Sequence, residues 1–174
     1  MKKFVIFDLD GTLMSFRLNA CHDAPLVPLT NVVSVLNVLK RVGIRIGIAT
    51  NQRKGTYKGR IYDRDVIEER LTAVGQMFGI ELAMIESTFD TLSPADPGWK
   101  PKPGMLLRLL SKQCGYAATT LFVGDSECDR EAAANASIDF AWAWDFFAWA
   151  NGRDDRSIDW DNWEKAGKSI WRVP

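Results

Sequence analysis

The chain has 174 residues, with 22 basic and 22 acidic side chains and so no formal net charge. That length suits one domain with a real hydrophobic core. The charge balance argues against a protein held to nucleic acid by bulk charge and leaves room for a local basic patch, and no apolar run approaches the roughly 20 residues that cross a bilayer.

Met1-Lys2-Lys3 leads directly into Phe4-Val5-Ile6-Phe7, and an acid follows at Asp8. No signal peptide fits that pattern, so a cytoplasmic protein is expected. The three cysteines, Cys21, Cys114 and Cys128, are odd in number and lie far apart. Free thiols in a reducing compartment are the simplest reading. The single histidine, His22, adjoins Cys21 without enough further partners for zinc, so no structural zinc is expected.

Residues 3–8 are apolar without alternation, which predicts a strand buried on both faces. Residues 14–30 are irregular, with Pro25 and Pro28 opposing helix. Asn31 can cap a helix over about 32–42, where Val32, Val33, Leu36, Leu39 and Val42 recur at helical spacing. Gly43 stops it. Ile44 to Ala49 reads as a second strand ending in Thr50-Asn51-Gln52. Arg53 to Arg60 reads as a polar loop with four basic residues. Asp63 can cap a helix over about 63–78, which buries Val66, Ile67, Leu71, Val74 and Phe78 on one face and ends at Gly79.

A third strand is expected near 80–86, then a loop over 87–99 carrying Pro94, Pro97 and Gly98. Pro103 can occupy the first turn of a helix running to about Cys114. Thr119 to Gly124 is a fourth strand, followed by Asp125 and an alanine-rich helix to about Asn135. Ile138 to Trp142 is a short fifth strand. Strands alternating with helices predict a Rossmann-like α/β three-layer sandwich, with a central parallel sheet of about five strands. One domain over 1–174 is expected, with an aromatic-rich tail from about 145 that holds Asp145-Phe146-Phe147 and tryptophans at 149, 160, 163 and 171.

In an open parallel sheet, ligands bind beyond the carboxyl ends of the strands. Polar residues gather at three such ends, as Asp8 with Asp10, Thr50 with Asn51, and Asp125 with Asp129. Lys100 comes from the loop after the third strand. Crowded carboxylates with one lysine call for a divalent cation, and Mg2+ prefers oxygen ligands. Thr50 and the amide after it can donate to a phosphoryl group, and Lys100 can neutralise its charge.

Asp8-Leu9-Asp10-Gly11-Thr12, then Thr50, then Lys100, then Gly124-Asp125 with Asp129 form an ordered set that resembles the haloacid dehalogenase superfamily phosphatases. The resemblance covers about the first 140 residues. It implies that Asp8 attacks phosphorus and becomes an aspartyl-phosphate. Asp10 would act as acid and base toward the leaving alcohol and the attacking water. Asp8, the main-chain carbonyl of Asp10 and Asp125 would ligate Mg2+, with Asp129 supporting through water. Gly11, Thr50, Asn51 and Lys100 would bind the transferring group, and Gly11 would also let the chain turn sharply after the nucleophile.

Plainer readings stand beside these. Thr50 can simply end a strand with a hydrogen bond, and Asp129 can cap its helix. Lys102 competes with Lys100 for the phosphate.

About 40 residues separate Asp10 from Thr50 and about 50 separate Thr50 from Lys100, which leaves no room for an inserted cap domain. Two capless groups are similar. Phe7 to Leu13 and Asp145-Phe146-Phe147 resemble the polynucleotide 3′-phosphatases. Lys100-Pro101-Lys102-Pro103-Gly104-Met105 and the Asp125–Asp129 stretch resemble the heptose-bisphosphate and histidinol-phosphate phosphatases. The Cys/His zinc loop common in the second group is missing, since residues 85–99 hold neither residue type. The preferred expectation is therefore a polynucleotide 3′-phosphate substrate, with a sugar-phosphate or other small-metabolite phosphatase as the alternative and a non-catalytic binding module as a third reading.

Arg53, Lys54, Lys58 and Arg60 could meet phosphates that flank a 3′ end, or could form a solvated loop. The tail tryptophans could stack on bases or pack on the core; Trp160 and Trp163, three apart, suit a packed helix face. No Gly-rich loop ending in Gly-Lys-Ser/Thr is present, so no attached kinase is expected.

Overall fold

The computed structural model describes residues 2–15, 26–52, 55–57, 60–89 and 96–148. Its frame is a five-stranded parallel sheet. Strand β1 (Phe4–Phe7) is central, flanked by β2 (Arg45–Gln52) and β6 (Thr120–Gly124). β5 (Ile85–Phe89) and β7 (Asp139–Trp142) form the edges, giving the order β5-β2-β1-β6-β7. Successive side chains of a strand point to opposite faces, and all four residues of β1 are buried, so both faces of the sheet are covered. Each of those side chains contributes about 1.5–3 kcal/mol on burial. The Rossmann-like arrangement agrees with the alternating strands and helices of the sequence.

Helices α1 (Val32–Arg41), α2 (Arg64–Phe78), α3 (Gly104–Lys112) and α4 (Glu127–Asn135) fill the crossovers, and a short α5 (Ala143–Phe146) follows β7. α1 buries Val32, Val35, Leu36 and Leu39, the i, i+3, i+4, i+7 stripe. Val33 and Val42, expected on that stripe, are exposed. Asn31 sits at the N-cap position with φ 71° and makes no capping bond. Its side-chain amide donates instead to the Phe147 carbonyl at 3.3 Å, which ties α1 to the end of α5. The rings of Phe146 and Phe147 pack on Phe7 at 5.5 and 5.8 Å, so the segment after β7 closes over the central strand.

Asp63 caps α2 as expected, accepting from the Asp65 amide. Gly79 ends it at φ 56°, a left-handed cap that glycine adopts without strain. The Gly79 and Ile80 amides then donate back to Gln76 and Gly75. That cap corrects the third strand. Ile80 is committed to the helix end, Leu82–Met84 forms a single 3-10 turn, and β5 begins only at Ile85.

β2 is longer than expected. It runs through Thr50, Asn51 and Gln52 because these pair with Ser87, Thr88 and Phe89 of β5. The expected polar loop over 53–60 is also corrected: Gly55–Tyr57 (β3) pairs antiparallel with Arg60–Tyr62 (β4) in register Tyr57↔Arg60. Its charges and glycines masked a strand-forming run of Thr56, Tyr57, Ile61 and Tyr62. Pro103 stands one residue before α3, whose helical residues end at Lys112. Among the described residues no cap domain interrupts the sheet, and no helix is long and apolar enough to cross a membrane. Cys21, His22, Arg53, Lys54, Lys58 and the tryptophans at 149, 160, 163 and 171 lie outside the described residues.

Candidate active site

The register of the sheet brings the acids together. Phe7 pairs with Ile48 on one side and Val123 on the other. The Asp8 amide then donates to the Val123 carbonyl at 2.9 Å, so Asp8 leaves the sheet beside Gly124. Leu9 opens a tight turn in which the Leu13 and Met14 amides both donate to the Leu9 carbonyl. Gly11 takes φ 88° there, a left-handed conformation that disfavours a side chain. The turn sends Asp10 back over the strand ends.

Gly124 serves α4. A Cβ at position 124 would lie 2.5 Å from the Asp129 Cβ, so only glycine lets that side chain come so close. Ser126 and Asp129 form a capping box: the Asp129 amide donates to Ser126 Oγ, while the Ser126 amide and hydroxyl both donate to Asp129 Oδ2, at 3.1 and 2.5 Å. The capping role of Asp129 thus coexists with a place in the site.

Lys100 is 3% exposed, so its ammonium has no solvent to complete its shell. Its three protons meet Asp8 Oδ1 at 2.5 Å, Asp129 Oδ1 at 2.6 Å and the Ala49 carbonyl at 3.0 Å. The ammonium is thereby a brace between β1, β2 and α4. Asn51 secures the loop that delivers it. Its side chain accepts from the Lys100 amide at 2.9 Å and donates to the Lys100 carbonyl at 3.1 Å. The Asn51 side chain therefore grips protein backbone.

A cleft of about 440 Å3 opens here, lined by Asp8, Asp10, Thr50, Asn51, Trp99, Lys100, Asp125, Ser126, Cys128 and Asp129. Every core residue expected from the sequence reaches it except Gly11, which shapes the turn behind. Arg60 begins β4, and the other basic candidates fall outside the described residues. Trp99 and Ser126 were not singled out by sequence reasoning, Cys128 was read only as a free thiol, and Gln52 only as the end of the Thr50-Asn51-Gln52 stretch. For Ser126 the signal was Ser-x-x-Asp ahead of a helix. For Gln52 it was spacing: two residues beyond Thr50 on one strand, it faces the same side. Gln52 is fully buried, and its amide donates to Thr50 Oγ1 at 2.7 Å and to Asp10 Oδ2 at 2.9 Å.

Four carboxylates line the cleft against one ammonium that is already engaged. The ionisation of the cluster follows. Burial pushes the Asp8 carboxyl well above the ordinary value. Lys100 opposes this, and Asp129 and Asp125 add to it. Burial works against the Lys100 ammonium too, but Asp8 and Asp129 outweigh it and hold the lysine above its usual value. Asp125 is pushed up to about 6 by burial and then by Asp129. The Cys128 thiol is pushed up to about 11, chiefly by burial, so it stays neutral.

This excess of negative charge fits a divalent cation. One oxygen each from Asp8, Asp125 and Asp129 lies within 4.8 Å of the others. That spacing can close on a Mg2+ ion, whose oxygen ligands stand at about 2.0–2.1 Å.

The sequence matches the family model of the haloacid dehalogenase-like hydrolases over residues 17–143. The matched stretch includes Thr50, Lys100, Asp125 and Asp129 and begins after Asp8 and Asp10. No curated protein matches the chain. Several solved structures share its fold. A protein of Mesorhizobium loti described as a HAD-like phosphatase superposes with a TM-score of 0.66 at 19% identity, covering 97% of this chain and 86% of its own. The D,D-heptose 1,7-bisphosphate phosphatase of B. bronchiseptica, complexed with magnesium and phosphate, gives 0.61 at 18% identity, covering 99% and 100%. A HAD-superfamily hydrolase of Geobacter sulfurreducens, of subfamily IA, gives 0.53 at 21% identity, covering 80% and 88%. At these identities the likeness is one of fold.

Proposed function

The chain belongs to the haloacid dehalogenase-like hydrolase family, and from that premise we propose that it hydrolyses phosphomonoesters through an aspartyl-phosphate on Asp8. The observation that carries this reading is the bond between Lys100 and Asp8 Oδ1 at 2.5 Å inside a cluster of carboxylates. With Oδ1 held by the ammonium, Oδ2 is the oxygen that attacks phosphorus. Asp10 gives the leaving oxygen its proton and then takes one from the attacking water. The Thr50 hydroxyl and the main-chain amide of Asn51 grip the phosphoryl oxygens.

Mg2+ would be held by Asp8, Asp125 and the main-chain carbonyl of Asp10. Asp129, whose two oxygens already accept from Lys100 and Ser126, would support it through water. When bound, the ion would neutralise the charge that builds on the transferring group.

For the leaving group we propose a polynucleotide 3′-phosphate. A cleft with no cap domain among the described residues suits a large substrate, and Arg53, Lys54, Lys58 and Arg60 follow in the chain after the strand that carries Thr50 and Asn51. A second reading, a sugar phosphate, draws support from the B. bronchiseptica phosphatase, which this chain matches over that protein's full length. A panel of phosphomonoesters assayed with Mg2+ and with chelator decides. The proposal expects a 3′-phosphorylated oligonucleotide to turn over far faster than heptose or histidinol phosphates, and activity on the small substrates alone would sink it. Asp8→Asn should abolish turnover of every substrate while the fold persists. Residual turnover in that variant would remove Asp8 as nucleophile.

A further inference from the structure

Gln52 is fully buried and belongs to no motif that assigns it a task. Its amide nitrogen uses both protons within the site, one on Thr50 Oγ1 at 2.7 Å and one on Asp10 Oδ2 at 2.9 Å. Its carbonyl oxygen, Oε1, is buried without a hydrogen-bond partner among the described residues. Beside the ionised Asp10 carboxylate the hydrogen-bond network assigns this amide orientation, because turned over, Oε1 would face an oxygen with no proton to give and Nε2 would lose both acceptors. Leaving a buried carbonyl unpaired is costly, and the compensation is on the nitrogen side.

We propose that Gln52 is a positioning residue for the leaving-group step, holding the Asp10 carboxyl in line with the phosphoryl grip of Thr50. The inference rests on the phosphatase reading above. An N–H aimed at Oδ2 occupies that oxygen and keeps the carboxyl proton on Oδ1. The second N–H fills a lone pair of Thr50 Oγ1, so the hydroxyl hydrogen turns away from Gln52 and is available to a phosphoryl oxygen. One amide thus sets two groups that must act on the same substrate. In the step concerned, Asp8 forms a bond to phosphorus and the bond from phosphorus to the leaving oxygen breaks. The electron pair stays on that oxygen, and the Asp10 proton neutralises it. A poor leaving group needs the proton in the transition state. A good one, such as p-nitrophenolate, departs without it.

The test is Gln52→Met, which keeps the side-chain length and removes both N–H groups. The readout is kcat/KM, which covers steps only through departure of the leaving group, on an alkyl phosphate and on p-nitrophenyl phosphate with Mg2+ present. Any loss of phosphate grip through Thr50 is common to both substrates and cancels in their ratio. The expected result is a fall in the alkyl-to-aryl ratio by about 10- to 100-fold, within the range that proton transfer contributes to catalysis. In an Asp10→Asn background the same substitution should leave the ratio unchanged within about threefold, because the group it positions is gone.

An equal loss on both substrates, or no loss, overturns the proposal. If Gln52→Met fails to fold, Gln52→Leu, which also removes both N–H groups, carries the same expectation. A wild-type protein inactive on both esters would sink the phosphatase reading, whereas an active wild type with an unmoved ratio sinks only the role of Gln52.

Discussion

Asp125→Asn should stabilise the metal-free protein and destabilise the metal-loaded one. The Asp125 carboxyl sits at about 6 against an ordinary 3.8, raised by burial and by Asp129. A carboxyl raised by folding means that the folded chain holds the proton more tightly than the unfolded one. Its ionisation therefore opposes folding, and the stability it gives below about pH 4 is lost as pH rises through 6. The displacement corresponds to a ceiling of about 3 kcal/mol at 1.36 kcal/mol per pH unit. The group is only part-buried, and solvent screening brings this to about 1–2 kcal/mol.

Asparagine keeps the shape without the charge, so in chelator at pH 7.5 the variant should melt about 3–6 °C higher than wild type. At pH 4.5, where wild type is protonated, the gap should close. Saturating Mg2+ should reverse the order, because wild type gains RT ln(1 + [Mg2+]/Kd) and the variant has lost a ligand. Thermal unfolding followed by circular dichroism, in chelator and in Mg2+ at both pH values, measures all four cases. A variant less stable than wild type in chelator at pH 7.5 would refute the reasoning, since it would mean the ionised carboxylate is already compensated within the fold.

Lys100→Met leaves Asp8 and Asp129 buried without their shared cation. Urea unfolding in chelator should show a loss of about 3–5 kcal/mol, part of it restored by Mg2+. Gly124→Ala drives a methyl group into Asp129. It should cost about 1–3 kcal/mol by the same measurement and weaken Mg2+ binding by calorimetry, whereas a variant with unchanged affinity would show that Asp129 has room to move. Because Asp125 takes up a proton near pH 6, Mg2+ affinity measured by calorimetry should fall as pH drops below that value, toward tenfold per unit; an affinity flat from pH 7.5 to 5 would remove Asp125 from the ligand set.

Much of the site was legible because it sits where local pattern and topology agree. An unbroken apolar run, Phe4 to Phe7, forces a central strand, and a central strand delivers its next residue, Asp8, to the carboxyl edge. Asp63 and Gly79 bound α2 through bonds their own chain neighbours make, so sequence sufficed there too. What escaped depends on partners remote in sequence. β2 continues through Gln52 only because β5 lies beside it, and without that pairing the Thr50–Gln52 face could not be recognised. The Asn51 side chain resembles a phosphate ligand until the loop of Lys100 is brought against it, which leaves only the main-chain amide for that role. Lys100 itself was expected to face the phosphate, yet burial directs all three of its protons to the protein.

The Lys100 brace also bears on how the chain reaches its native state. Its ammonium joins partners 92, 51 and 29 residues away. Closing such loops costs entropy before any contact rewards it, so the junction consolidates after the strands have paired. It is a lock on the finished topology, with little share in the folding nucleus. A break at this ammonium should accordingly steepen escape from the native basin, raising the unfolding limb of a chevron while the refolding limb stays in place.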